Sequence, residues 1–452
     1  MKNLWLKKTD GEIKEIFDFC EGYKKFISEN KTERECINSF IVQAKKEGYK
    51  DLSEYISKNK KLVAGDKVFA VNMGKMVVLA HIGKKPIEEG LNIVGSHIDS
   101  PRLDLKSNPL YENSNLALFD THYYGGIKKY QWLAQPLALH GVVCKKDGRK
   151  IEINIGDKDD DPVFAITDLL PHLAKNQKIE KLDGEMLNVL IASIPSKKEK
   201  EKVIHNVLEI LKGLDIERED LISSEIEVVP AGKARDLGFD RGMIIGYGQD
   251  DRVCAYTSFK AIMDQKEVPE RTNLCLLVDK EEIGSYGATG MHSRFFENFV
   301  AELTVLLGKN EIVQRRALTN SFMISSDVTA GFDPNYPDPM NKATEAFLGR
   351  GVSFNKYTGS RGKSGSNDAN PEFIAKLRKV LDEDKVCYQF TEMGRVDEGG
   401  GGTIALIMAR YGMEVIDAGV PLFNMHAPWE ISSKVDVFEA YKAYKSFYSI
   451  KN

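Results

Sequence analysis

Glu281 and Glu282 stand just past the apolar run Leu274 to Val278, and Gly284 and Gly287 break the chain immediately beyond them. Two carboxylates at the mouth of a buried strand are costly to desolvate unless a cation meets them. Neighbouring strand residues point to opposite faces, but a turn at the strand end can bring both acids to one site. One carboxylate can then hold a metal while its neighbour moves a proton. Taken alone, such a pair reads first as a solvated acidic loop. The case therefore depends on what other residues end on strands.

Several do. Leu91 to Gly95 reads as a strand running out into Ser96-His97-Ile98-Asp99-Ser100-Pro101. In extended chain His97 and Asp99 project to one side, so Asp99 can support whatever His97 faces, as carboxylates beside metal-bound imidazoles do. Gly242 to Gly246 is a strand that leads into Gly248-Gln249-Asp250-Asp251-Arg252 and an apolar helix from Val253 to Met263. Phe322 to Ser326 is a short strand ending on Asp327. Glu414 to Ala418 is another, with Leu422-Phe423-Asn424-Met425-His426 in the loop that follows. Strands alternating with helices imply a parallel or mixed sheet covered on both faces, and ligands collect beyond the carboxyl ends of such strands. That rule gathers His97, Asp250, Glu281 and Glu282, Asp327 and His426 at one sheet edge. Two imidazoles and three carboxylates, with one carboxylate to spare, suit a pair of borderline cations: zinc first, then manganese or cobalt. Cations ~3.5–4 Å apart repel, and a bridging carboxylate with a bridging hydroxide offsets this. The spare Glu can then take a proton from that water.

The elements that position these residues follow from the rest of the chain. A length of 452 residues exceeds one simple core, so two domains are expected. A net charge of −4 argues against a nucleic-acid binder. The start, Met1-Lys2-Asn3-Leu4-Trp5, lacks the apolar core of a signal peptide, and no run approaches membrane-spanning length. Six cysteines without a Cys-x-x-Cys pair read as buried thiols of a reducing cytoplasm.

Ile13, Ile16, Phe17, Cys20, Tyr23 and Phe26 make one helical apolar stripe, and Thr32 with Glu35 can form a capping box for a helix that Gly48 stops. Val68 to Val71 and Met76 to Leu79 read as a hairpin. Residues 103–234 change character. They carry the alternating stretch Lys150 to Ile155, a charged amphipathic helix from Ser196 to Leu214, and the acidic turn Asp157 to Asp161, which lacks the spacing of a calcium loop. The expected architecture is α/β, with a mixed-sheet α/β/α catalytic domain over 1–102 plus 235–452 and an inserted β-rich domain over 103–234. His-Glu-x-x-His, Gly-x-Ser-x-Gly, Walker and dinucleotide fingerprints are absent. Gly399 to Gly402, ahead of a helix expected from Ile404 to Tyr411, can cradle a phosphate, though four glycines alone are a weak signal.

With these residues in view, the chain resembles the aspartyl aminopeptidase and vacuolar aminopeptidase I family of dinuclear zinc exopeptidases, over essentially its whole length. The matching stretches are Gly95 to Arg102, Gln249 to Arg252, Asp279 to Ser285, Ser326-Asp327-Val328, Asp333-Pro334-Asn335-Tyr336 and Met425-His426. The resemblance implies an aminopeptidase in which Asp250 bridges two ions. His97 and Asp327 complete one metal site, and Glu282 and His426 the other. Glu281 is the general base that activates the bridging hydroxide, Asp99 orients His97, and Asp251 supports the bridge. It further implies that the insertion dimerises, that subunits build a tetrahedral dodecamer, and that His172 reaches a neighbour's active site. Family members selective for acidic N-termini carry a lysine after the Asn-Tyr motif. Phe354 aligns there, which implies a neutral or hydrophobic N-terminal residue; Lys356, two positions on, is the alternative match and implies an acidic one. Two rival readings are a dinuclear phosphoesterase, which also uses His and Asp at strand ends, and a metal-binding scaffold with a degenerate site.

Overall fold

Thr9 and Thr32 start the first two helices for a local reason. Each side chain accepts the backbone N–H three residues on, and Glu12 and Glu35 return the bond to the cap, so Asp10–Glu29 and Glu33–Lys46 both open with a full capping box. Each cap contributes about 1 kcal/mol. The computed structural model describes residues 3–175, 181–197 and 202–451. By contact density these divide into two compact units. The first comprises Met1–Asp99, Arg235–Met425 and Glu430–Asn452; the second comprises Ser100–Ala234 and His426–Trp429.

In the first unit, the apolar runs become a nine-stranded mixed sheet. Leu91–His97 lies near its middle, parallel to Thr272–Val278 on one side and to Phe322–Ser326 on the other, and Phe322–Ser326 runs parallel to Glu414–Gly419. Every residue of Leu91–His97 and Thr272–Val278 is buried, as a parallel strand covered on both faces requires. On one face, Ile93, Leu276, Met323 and Val415 pack with Phe296, Phe299 and Leu303 of the helix Phe295–Leu306 and with Ile404 and Met408. On the other, Ser96 meets Ser258 of the helix Gln249–Met263 at 3.2 Å. The Tyr256 ring of that helix packs edge-on or tilted against Phe19, Tyr23 and Phe26 of the first. The hairpin expected at 68–79 is Lys67–Asn72 paired with Met76–His81. A separate five-stranded sheet holds Met243–Gly246 against Glu430–Ser433 in antiparallel register.

The second unit is built on a six-stranded antiparallel sheet, with Leu137–Cys144 paired to Ser224–Pro230 and Arg102–Asn113 paired to Leu116–Tyr124. Its helix runs Lys202–Gly213; residues 198–201 of the stretch expected to be helical lie outside the described residues. The unit begins at Ser100 and takes in His426, a residue assigned from sequence to the catalytic part. All six cysteines are free thiols, and among the described residues no helix is long and apolar enough to cross a membrane.

One local expectation is corrected. The helix expected from Ile404 to Tyr411 forms only over Ala405–Ala409. Two of the glycines before it allow close loop contact. A Cβ on Gly399 would come within 1.9 Å of the Met393 carbonyl oxygen, and one on Gly400, at φ +109°, within 2.6 Å of that of Gly359.

Candidate metal centre

Register decides where the chemistry meets. Val278 pairs with His97, so the two strands end level, and the chain then turns through the short 3₁₀ segment Glu281–Ile283. Lys280 (φ +69°) and Gly284 (φ +92°) bound this turn in the left-handed region, which lets both glutamates leave the strand on one side. Asp99 ties the turn to the histidine. Its Oδ1 accepts the Glu281 N–H and its Oδ2 the Glu282 N–H, each at 3.1 Å, and its Oδ1 lies 3.2 Å from His97 Nδ1. The backbone oxygen of Asp99 is 3.0 Å from the same ring nitrogen. With Nδ1–H donating there, Nε2 is the ring nitrogen that faces Asp250 Oδ1 at 3.3 Å and Glu281 Oε2 at 3.9 Å, and it can offer its lone pair to a cation that displaces its proton.

Asp250 and Asp251 sit at the start of the helix Gln249–Met263 but keep non-helical backbone angles, and the peptide bond between them is cis. Arg252, fully buried, donates from Nε to the Ile98 carbonyl at 3.2 Å and from its guanidinium to the Lys31 carbonyl at 2.6 Å, over the Tyr247 ring. It thereby fixes the segment between His97 and Asp99 against this helix.

Three overlapping groups of candidate ligand atoms result, each within 4.8 Å throughout: His97 with Asp250 and Glu282, His97 with Glu281 and Asp327, and Asp250 with Asp251 and Asp327. Burial pushes the carboxyls of Asp251 and Asp327 well above the ordinary range, and each is raised further by neighbouring acids while His97 opposes. Burial alone would discharge His97, yet hydrogen bonds to Asp250 and Asp99 outweigh it and raise its pKa well above the usual value. Buried acids crowded this closely, with an imidazole nitrogen turned into the same space, form a donor set that fits a divalent cation.

On the same strand, one pleat below Asp327, Ser325 pairs with Asp417, which pairs in turn with Asn355. Asp417, held by Thr403 at 2.7 Å, has its pKa raised by burial to about 6, with Thr403 and Ser325 opposing.

The remaining expected site residues fall elsewhere. His426 belongs to the second unit, where its Nδ1 faces the Gly126 carbonyl at 2.9 Å, which leaves Nε2 with the lone pair. His172 stands exposed on a turn of that unit. Phe354 is fully buried in the strand Val352–Asn355, its ring 5.7 Å from that of Phe390. Lys356, just past the strand, is exposed, with its ammonium 3.6 Å from Asp368. Sequence reasoning missed Glu430, whose carboxylate accepts the Asp250 N–H at 3.0 Å. In the sequence it is one acid between Trp429 and the apolar Ile431, with nothing to mark it out.

A family model described as aminopeptidase I zinc metalloprotease (M18) matches residues 26–448. A probable M18 family aminopeptidase 1 of Clostridium acetobutylicum is 56% identical over 454 residues, covering 99% of this chain and 97% of that protein. The crystal structure of an M18-family aminopeptidase from Thermotoga maritima aligns at 46% identity with a TM-score of 0.94, covering 99% of this chain and 98% of that one. At 20% identity, the structure of the Saccharomyces cerevisiae mApe1 dodecamer shares the fold, with a TM-score of 0.78 over 95% of this chain and 96% of that chain.

Proposed function

The chain belongs to the aminopeptidase I zinc metalloprotease (M18) family, and from that premise we propose how its residues divide the work of releasing an N-terminal residue from a peptide. His97, Asp250, Glu282, Asp327 and His426 would hold two divalent cations, zinc by family, with Asp250 shared between them. Such ions, when bound, acidify water and polarise a carbonyl. Glu281 is the proton carrier: its Oε2 stands 3.9 Å from His97 Nε2, close to the ligand atoms, and as a carboxylate it can take a proton from the attacking water and return it to the leaving amine. Asp99 sets both the His97 tautomer and the direction of the glutamate turn. The observation that carries this reading is the convergence of His97, Asp250, Glu281, Glu282 and Asp327 from four separate parts of the chain.

The N-terminal residue removed is neutral or hydrophobic. The support is Lys356, which faces Asp368 and so offers its charge to a carboxylate of its own chain. The second unit would mediate assembly into a homododecamer, the state in which the yeast mApe1 structure was determined. Leu169, Leu170 and Leu173, next to His172 in the chain, leave between 45% and 68% of their surfaces exposed, apolar surface of the kind that another chain covers. His172 would then serve a neighbouring subunit.

Glu281→Gln tests the assignment. The variant keeps its fold and its zinc, while kcat on leucyl p-nitroanilide falls by about 10²–10⁴. Wild-type turnover in that variant removes Glu281 from the role. Hydrolysis of nitrophenyl phosphate without hydrolysis of any aminoacyl nitroanilide replaces the peptidase reading with a phosphoesterase. Zinc binding with neither activity leaves only a scaffold.

A further inference from the structure

We propose that Glu430 is a positioning residue for Asp250: its carboxylate fixes where that aspartate enters the metal centre by holding the backbone N–H. The inference rests on the reading of Asp250 as a metal ligand.

The geometry is built by one strand pair and one turn. Met243–Gly246 runs antiparallel to Glu430–Ser433, with Gly246 directly opposite Glu430. The chain then passes through Gly248 at φ +70° and delivers Asp250 (φ −81°, ψ 108°) and Asp251 (φ −115°, ψ 28°) before regular helix begins. A backbone N–H at such a helix start has no carbonyl four residues back to bond, so a side chain must accept it. Glu430 Oε2 does so at 3.0 Å, and Glu430 is itself only 1% exposed. A carboxylate acceptor makes a stronger bond than a neutral one.

The neighbouring residue locks this arrangement. Gln249, fully buried, donates from its amide to the Glu430 carbonyl at 2.7 Å and to the Ile244 carbonyl at 3.3 Å. Its amide oxygen accepts from Ser432 Oγ at 2.6 Å and from Tyr23 Oη at 3.2 Å. The strand, the turn and the first helix are thus joined on both sides of the Asp250 amide. Glu430 holds the amide itself, and Gln249 holds the strand from which Glu430 reaches. An aspartate that would hold a divalent cation tolerates little displacement, because metal–oxygen distances are set within a few tenths of an ångström.

Three substitutions separate a hydrogen bond from a charge. Glu430→Gln keeps an oxygen at the same reach without the charge; Glu430→Asp keeps the charge but withdraws it by one methylene; Glu430→Ala removes both. Zinc affinity is measured on the intact protein by competition with a chromophoric chelator, alongside near-ultraviolet circular dichroism and the split between kcat and KM. The Gln variant is expected within about threefold of wild type, and the Asp and Ala variants weaker by about 10–100-fold, the usual cost of losing a group that orients a metal ligand. At saturating zinc, KM stays near wild type. If Ala does not fold, the comparison of Asp with Gln decides. An Asp variant that binds zinc like wild type, a Gln variant that binds as weakly as Asp, or a folded Ala variant with unchanged affinity overturns the proposal. Failure of wild type itself to bind zinc or cleave aminoacyl substrates strikes the underlying site reading instead.

Discussion

Asp99→Asn is the most direct probe of how the centre is held together. Its carboxylate accepts the N–H groups of Glu281 and Glu282, one per oxygen, and lies 3.2 Å from His97 Nδ1. Asparagine keeps one acceptor oxygen and turns an NH₂ group toward the other backbone N–H. The change removes one charge-assisted bond of ~1.5–3 kcal/mol and leaves a buried donor unpaired at a cost of ~1–3 kcal/mol. Part of that loss relaxes through a shift of the 3₁₀ turn, so ~2–3 kcal/mol is the expected cost to the metal-competent geometry. At 1.4 kcal/mol per decade this weakens zinc binding by about 30–140-fold. Isothermal competition against a chelator of known affinity reads the change, and urea unfolding of the zinc-free protein reports global stability separately. A zinc affinity within twofold of wild type in a folded Asp99→Asn protein would refute the claim that Asp99 organises the site.

Two further outcomes follow from buried groups. His81, 2% exposed on the strand Met76–His81, has its pKa lowered by burial, with Lys67 adding, to about 4 against the ordinary 6.5. Between these values the unfolded chain takes up a proton that the native state refuses, so stability falls as pH falls from 6.5 to 4. At 1.36 kcal/mol per unit the loss approaches about 3 kcal/mol at the acid end. His81→Leu should flatten that part of the pH–stability curve in urea titrations; an unchanged slope assigns the acid loss to other groups. Chelation is the other perturbation. Stripping divalent ions leaves Asp250, Asp251 and Asp327 facing one another, and restoring zinc to about 1,000 times its dissociation constant should stabilise the native state by about 4 kcal/mol. A melting temperature that does not move with zinc concentration means that the native state binds zinc no better than the unfolded chain does.

The sequence by itself determined the local elements and the chemistry at their ends. Buried runs such as Leu274 to Val278 could only be strands covered on both faces, Thr32 with Glu35 could start a helix in isolation, and acids or imidazoles just past such runs were visible as ligands in waiting. Phe354 and Glu430 were not legible, for opposite reasons. Alignment to a family position says nothing about which face of a strand a side chain takes, and Phe354 turned into the core. Glu430 looks like any strand-edge acid until antiparallel pairing sets it opposite Gly246 and within 3.0 Å of an amide 180 residues away in the chain. What only the tertiary structure decided was register. Parallel pairing that ends His97 level with Val278 converts a distant histidine and a glutamate pair into neighbours, and a slip of one residue would turn His97 to the opposite face of the sheet.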